Sequence, residues 1–425
     1  MKFAICNLGC KVNNFEANWY AMKLKEKYQQ VDFKEYADIY IINSCTVTNM
    51  ASSKTRQMIR KAKKQNPNAV IVAVGCYVQI EADTADVFDE CDILIGSNKK
   101  TKLPELIEQF LLEKKKINIV EEFKKTNFEE MFIQNFNQTR AYLKIQDGCN
   151  QFCSYCIIPY ARGSERSLDA DKVIKQAKQL TLSGHKELVL TGIHTGRWND
   201  NKLELADLIE RLLNEVKEIE RLRISSIEVT EISDKLINLM LNNEKIARHL
   251  HIPLQVGDDR LLKINNRPYT TEQFYNKVLE IKEKISDISI SSDVIVGLPT
   301  ETDGDFENTK QFIEKCNLSF LHVFPYARKK GTVNSEFKQQ VEEHIKRQRA
   351  ACLTKISDKL YNDYVDGFVG KTVKVLFERY KNGVSIGHCS QYILVKVYSE
   401  TDYTNQLKDV YVDSVDGKIL SGHII

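Results

Sequence analysis

The sequence predicts an α/β protein in three parts: a parallel-sheet unit with covering helices, a partial barrel of six strand–helix repeats, and a small all-β module at the C-terminal end. Three observations carry this expectation. Short apolar runs alternate with helical patterns over most of the chain. A long polar helical stretch, 338–364, closes that series. Beyond Gly367 the pattern changes to short alternating strands with glycine-containing turns. A chain of 425 residues accommodates two or three domains of about 100–200 residues each.

In the first unit, strands are read at 2–8, 38–44, 69–75 and 93–97, and helices at 14–28 and 51–65. The unit is expected to span 1–112. Residues 113–138 are charged and amide-rich and read as a linker, with room for a short strand. The second unit, 139–365, has strand candidates at 140–147, 187–193, 222–227, 249–254, 288–297 and 319–325. Its helices are read at 170–182, 203–218 and 271–286. Six repeats fall short of the eight of a closed barrel, and chemistry is expected where the strands' C-terminal ends gather their loops. The module 366–425 has strands at 371–378, 392–398 and 409–413.

Hydrophobic residues make up 42% of the chain and charged residues 28%, enough for a buried core. A net charge of +3 permits a nucleic-acid partner without arguing for one. The opening MKFAICNLGC has no signal-peptide pattern, and no run approaches the roughly 18 apolar residues of a membrane span. A soluble, cytoplasmic protein is expected. Eleven cysteines in such a chain point to metal binding or catalysis more than to disulfides.

The densest group is Cys149, Cys153 and Cys156, spaced Cys-x3-Cys-x2-Cys after the first strand of the second unit. Thiolates are the usual protein ligands of iron–sulfur clusters. Three in one loop hold three irons of a four-iron cluster and leave the fourth open to the amino and carboxylate groups of S-adenosylmethionine (SAM). Structural zinc needs a fourth ligand, and the nearest downstream histidine is His185. Cys10, Cys45 and Cys76 each follow a strand of the first unit. Parallel strands deliver such positions to one sheet edge, so these three are candidates to converge. Cys6, inside a strand, reads as core packing.

The segment Cys149–Ser167 (CNQFCSYCIIPYARGSERS) resembles the core of the radical SAM methylthiotransferases. So do Thr191-Gly192-Ile193-His194, Ser225-Ser226-Ile227-Glu228, His249–Arg260, Asp293–Gly297 and His322–Tyr326, so that the resemblance covers almost the whole chain. Leu8-Gly9-Cys10-Lys11-Val12-Asn13, followed by Glu16, is most similar to the branch acting on threonylcarbamoyladenosine in tRNA. Two stretches depart from the family pattern, Val256-Gly257-Asp258 and Gly297–Thr302.

The resemblance implies two 4Fe–4S clusters, one on Cys10, Cys45 and Cys76 and one on Cys149, Cys153 and Cys156, with SAM as co-substrate and Tyr155 near its adenine. One SAM serves as radical source and a second methylates the transferred sulfur; no catalytic residue beyond the cluster ligands is expected. The C-terminal module is similar to a TRAM domain, although seven lysines and arginines there face seven acidic residues from Asp366 onward. The implied partners are the anticodon region of tRNA and an electron donor such as flavodoxin or ferredoxin; the sulfur source stays open, and a monomer is expected. Rival readings keep the chemistry on isopentenyladenosine or on a ribosomal-protein aspartate, or replace it with a zinc-binding RNA protein.

Three further residues are candidates by position. Glu228, at a strand end, is placed to bind the ribose of SAM, and Gly192 to admit a cofactor close to the backbone. Arg162 is suited to pair with a carboxylate or phosphate. The basic run Lys54–Lys64, close after Cys45, is a candidate tRNA contact through Lys61, Lys63 and Lys64.

Overall fold

The computed structural model describes residues 1–123 and 127–425. The first unit is a six-stranded, all-parallel sheet. Its strand order is Gln29–Gln30, Lys2–Asn7, Ile39–Ser44, Val70–Gly75, Ile93–Ile95 and Ile117–Ile119. Ile39–Ser44 and Val70–Gly75 are buried along their whole length, as apolar runs in a parallel sheet must be. Helices Lys11–Leu24, Asn49–Gln65 and Leu103–Glu113 cover the sheet. The second of these starts where the Thr48 hydroxyl accepts from the Ala51 amide at 3.1 Å.

The sheet runs past residue 112. Ile117–Ile119 pairs with Ile93–Ile95 inside the stretch read as linker. Met131, Ile133 and Phe136 of the same stretch are buried in the core shared with the second unit.

The second unit has six parallel strands in chain order: Arg140–Lys144, Glu187–Thr191, Arg221–Ile224, His249–His251, Ser289–Val296 and Phe320–Pro325. The first three and last three form two sheets, joined by the parallel bridges Leu222↔Ile246 and Ser226↔His251. Amphipathic helices return the chain between strands, several with reciprocal caps such as Thr270 with Gln273 and Thr302 with Asp305. The helix Lys11–Leu24 of the first unit packs on strand Arg140–Lys144, and Phe15 meets Phe136 with ring centroids 6.2 Å apart.

After helix Glu343–Asp366 the chain forms a closed five-stranded barrel in the order Thr372–Lys381, Val384–Cys389, Leu394–Tyr398, Ile419–Ile424, Leu407–Asp416. This module seats on the N-terminal ends of the large barrel's strands. Arg221 and Arg223 share Glu187 at 2.8 and 2.7 Å. Their remaining N–H groups donate to the carbonyls of Lys374, His388, Cys389 and Ser390. Tyr392 stacks on His249 with centroids 5.0 Å apart, under the Arg223 guanidinium. The opposite mouth is left to the cysteine loop and the first unit.

Candidate active site

The loop Cys149–Cys156 leaves the first barrel strand through Gly148, whose φ of +77° no other residue would suit: a Cβ there would lie 2.0 Å from the Ser164 carbonyl oxygen. The loop is pinned on both sides. The Cys149 amide donates to Gly163 at 3.1 Å, and Ser154 donates through its amide and hydroxyl to the carbonyls of Asn265 and Ile264.

Each loop sulfur environment fits a metal cluster. Burial first, then the neighbouring Cys153 and Cys149, pushes the Cys156 thiol up to about 12, a mutual repulsion that cluster formation relieves. Cationic N–H groups also aim at sulfur. Arg267 donates to Cys153 Sγ at 3.2 Å, with Tyr155 Oη 3.5 Å from the same nitrogen, and pairs with Glu228 through its other nitrogen. His194 Nδ1 lies 3.4 Å from Cys149 Sγ and 3.3 Å from Glu165, and its Nε2 lies 2.7 Å from Glu231. Burial opposes protonation of His194, but Cys149 and the two carboxylates push its pKa up to about 12. When protonated, the ring nitrogen facing Cys149 Sγ is suited to donate to it.

Cys10, Cys45 and Cys76 meet at the C-terminal edge of the first sheet. Cys45 leaves strand Ile39–Ser44, Cys76 opens the helix after Val70–Gly75, and Cys10 precedes helix Lys11–Leu24. Burial first, then Cys76, pushes the Cys45 thiol up to about 12, and Cys10 adds to that repulsion. Here too a guanidinium addresses sulfur: Arg162 Nε donates to Cys76 Sγ at 3.2 Å.

Arg162 ties the two cysteine groups together. It belongs to the short helix Ile158–Arg162 after the loop, and its Nη1 reaches Glu16 and Asp147, each at 3.1 Å. Glu16 also takes Lys100 at 2.7 Å and Lys144 at 3.1 Å, all with side chains essentially without exposure. Burial raises the cost of ionising Glu16, yet Arg162, Lys100 and Lys144 hold its pKa at about 2. Asp147, two residues before Cys149, is likewise held well below the carboxylate range against burial by Lys144 and Arg162.

The structure thus brings the six proposed ligands into two groups of three and puts Tyr155 and Glu228 beside the loop group through Arg267. Gly192 packs the turn carrying His194 onto Gln146: a Cβ there would sit 3.0 Å from the Gln146 side chain, whose Oε1 accepts from the His194 amide at 2.7 Å. Arg267, His194, Glu165 and Glu231 escaped assignment from sequence because their partners lie far away along the chain. On helix Asn49–Gln65, Lys54, Arg60, Lys61 and Lys64 are exposed, forming a basic face that starts beside Cys45.

An open six-stranded parallel barrel with a three-cysteine loop at the C-terminal end of its first strand defines a radical SAM protein. The Radical SAM superfamily model matches residues 143–313, and the model of the uncharacterized protein family UPF0004 matches residues 2–96. The threonylcarbamoyladenosine tRNA methylthiotransferase MtaB of Bacillus subtilis is 38% identical, over 96% of this chain and 93% of that protein. Its counterpart in Aquifex aeolicus is 37% identical over 88% of this chain and 92% of its own. The tRNA-2-methylthio-N(6)-dimethylallyladenosine synthase of Acetivibrio thermocellus is 30% identical over 100% of this chain and 91% of its own. Among solved structures, the radical SAM methyltransferase TsrM of Kitasatospora setae superposes with a TM-score of 0.55 at 11% identity, covering 76% of this chain and 72% of that one. The chain belongs to the radical SAM methylthiotransferase family. As a member it uses SAM and 4Fe–4S clusters.

Proposed function

We propose that the protein converts N6-threonylcarbamoyladenosine at position 37 of tRNA to its 2-methylthio derivative. The 38% identity to the B. subtilis enzyme of that name, sustained over nearly the whole chain, carries this reading. Carbon 2 of adenine is neither acidic nor electrophilic enough for acid–base chemistry. The clusters and SAM, when bound, supply the one-electron chemistry and the sulfur that such a carbon requires.

The chain's own residues do the holding. Cys149, Cys153 and Cys156 hold the barrel cluster; Cys10, Cys45 and Cys76 hold the second. Arg267, His194 and Arg162 donate N–H groups to ligand sulfurs, which stabilises the reduced, more negative cluster. Tyr155 borders SAM, Glu228 is poised on the same side through Arg267, and Gly192 sets the turn beneath it. The buried Glu16–Asp147 network keeps the two cysteine groups in fixed register, as sulfur transfer demands.

The functional units are 1–112, the linker 113–138, 139–365 and 366–425. The basic helix Asn49–Gln65 meets the tRNA backbone. The protein acts as a cytoplasmic monomer and takes electrons from a flavodoxin- or ferredoxin-type donor. No helix is long and apolar enough to cross a membrane among the described residues.

Mass spectrometry of nucleosides from total tRNA, with the gene present and deleted, tests the substrate. Deletion should abolish 2-methylthio-threonylcarbamoyladenosine and leave its parent. Loss of the methylthio-dimethylallyl nucleoside instead would transfer the assignment to the second branch, at 30% identity.

A further inference from the structure

Among the described residues, the lumen of the large barrel carries a cation without a carboxylate partner. Arg140, Arg221 and Arg223 face inward near one end, and each is matched by a carboxylate: Arg140 by Glu378 at 3.2 Å, Arg221 and Arg223 by Glu187. Lys100, Lys144 and Arg162, above them, share Glu16. Lys11 differs. It is the first residue of helix Lys11–Leu24, directly after Cys10, and is half-buried. Its ammonium lies within electrostatic range of Tyr392, Arg223, Arg140, His249 and His322, which places it inside the lumen. Yet it makes no hydrogen bond and no ion pair among the described residues.

No carboxylate among the described residues pairs with Lys11. Asp293 is engaged by His251 at 3.2 Å. Burial, reinforced by Arg223, holds the His249 imidazole well below its usual range; His322 is lowered too, against the pull of Asp293. A cation held out of bulk water beside two arginines is costly unless an anion joins it.

We propose that Lys11 binds the carboxylate of the substrate's threonyl group and so selects the anionic N6 substituent over neutral ones. This rests on the substrate reading above. Carbon 2 and the N6 substituent flank N1 on one edge of adenine. A base whose carbon 2 approaches sulfur beside Cys10 therefore carries its substituent toward the residue next to Cys10. Lys11 is a specificity-determining residue that contacts substrate away from the reacting carbon. His322, exposed on the neighbouring strand Phe320–Pro325, borders the same space.

The test is fluorescence anisotropy with cluster-reconstituted protein and three anticodon stem-loops: one with threonylcarbamoyladenosine, one with its threonyl methyl ester, one with plain adenosine. The wild type should bind the acid at least about tenfold more tightly than the ester, the scale of a charge pair in a partly buried site. Lys11→Met should weaken binding of the acid alone and erase that ratio. Lys11→Arg should retain it. Unchanged affinity for the ester, with unchanged iron and sulfide content, shows that the variants fold and grip RNA normally. A ratio that survives Lys11→Met, or a loss shared equally by acid and ester, overturns the proposal while the substrate reading stands. A wild type that binds acid, ester and plain adenosine alike overturns the substrate reading and this proposal with it.

Discussion

Replacing Glu16 with glutamine removes the carboxylate that Lys100, Lys144 and Arg162 share, leaving three buried cations with Asp147 alone. The magnitude follows in two ways. A pKa of about 2 against an ordinary 4.5 is a difference of 2.5. At about 1.36 kcal/mol per unit this is on the order of 3 kcal/mol of stability at neutral pH. Breaking a buried ion pair by removing one partner costs about 3–5 kcal/mol, which agrees. With a urea m-value near 3 kcal/mol/M, the midpoint should fall by about 1 M.

The assay is urea unfolding of the apoprotein at a series of pH values. Because the folded pKa is depressed, the contribution is complete above the ordinary value of 4.5 and is lost as pH falls toward 2. The gap between wild type and Glu16→Gln should therefore close over that window. Adding Lys144→Met to Glu16→Gln should recover part of the loss at pH 7, because it removes one of the orphaned cations. A Glu16→Gln midpoint within about 0.2 M of wild type at pH 7 would refute the reasoning, as would a gap that stays constant down to pH 2.

Iron analysis after reconstitution should give about eight irons per chain for the wild type and about four for either Cys10→Ala or Cys149→Ala, with absorbance near 400 nm in all three. Arg267→Met removes an N–H donor and a positive charge from Cys153, so the barrel cluster should become harder to reduce. An EPR-monitored redox titration in the Cys10→Ala background should show a shift to lower potential on the order of tens of millivolts. Reversing Lys61, Lys63 and Lys64 to glutamate should weaken tRNA binding and reduce the slope of log K against log salt by about 2–3; an unchanged slope would remove the helix from the interface.

Most strands of both α/β units were legible because buried parallel strands are written as continuous apolar runs between turn residues, as in VIVAVG at Val70–Gly75; the two-residue polar edge strand Gln29–Gln30 was not. Strand Ile117–Ile119 was harder to see: three residues beside Lys114, Lys115 and Lys116 carry too little periodicity. Val384–Cys389 and Ile419–Ile424 of the small barrel were missed for a related reason. Their serine, glycine and histidine residues face a thin core or solvent and break the apolar alternation.

At the site, cysteines 149, 153 and 156 share one loop and the other three follow parallel strands, so order suggested two groups, and the resemblance suggested that each holds a cluster. The residues that address the sulfurs could not. Arg267 is 114 residues from Cys153, and Arg162 is 86 from Cys76. Nothing local distinguishes Arg267 from a surface arginine; Arg162 was a candidate for a carboxylate and pairs with Glu16 and Asp147, but its approach to Cys76 was not foreseen. Glu16 stood in a recognisable motif, but its partners Lys100 and Lys144 emerge only when the two units dock.

The seating of Tyr392 between His249 and Arg223 changes what a truncation would mean. A chain cut after residue 366 loses more than a small five-stranded barrel. It loses the floor of the reaction chamber and the carbonyl oxygens that accept from Arg221 and Arg223, and water gains a second route toward any radical formed above. Such a chain would be expected to spend SAM without modifying tRNA, and its failure would report a leaking vessel rather than a lost handle.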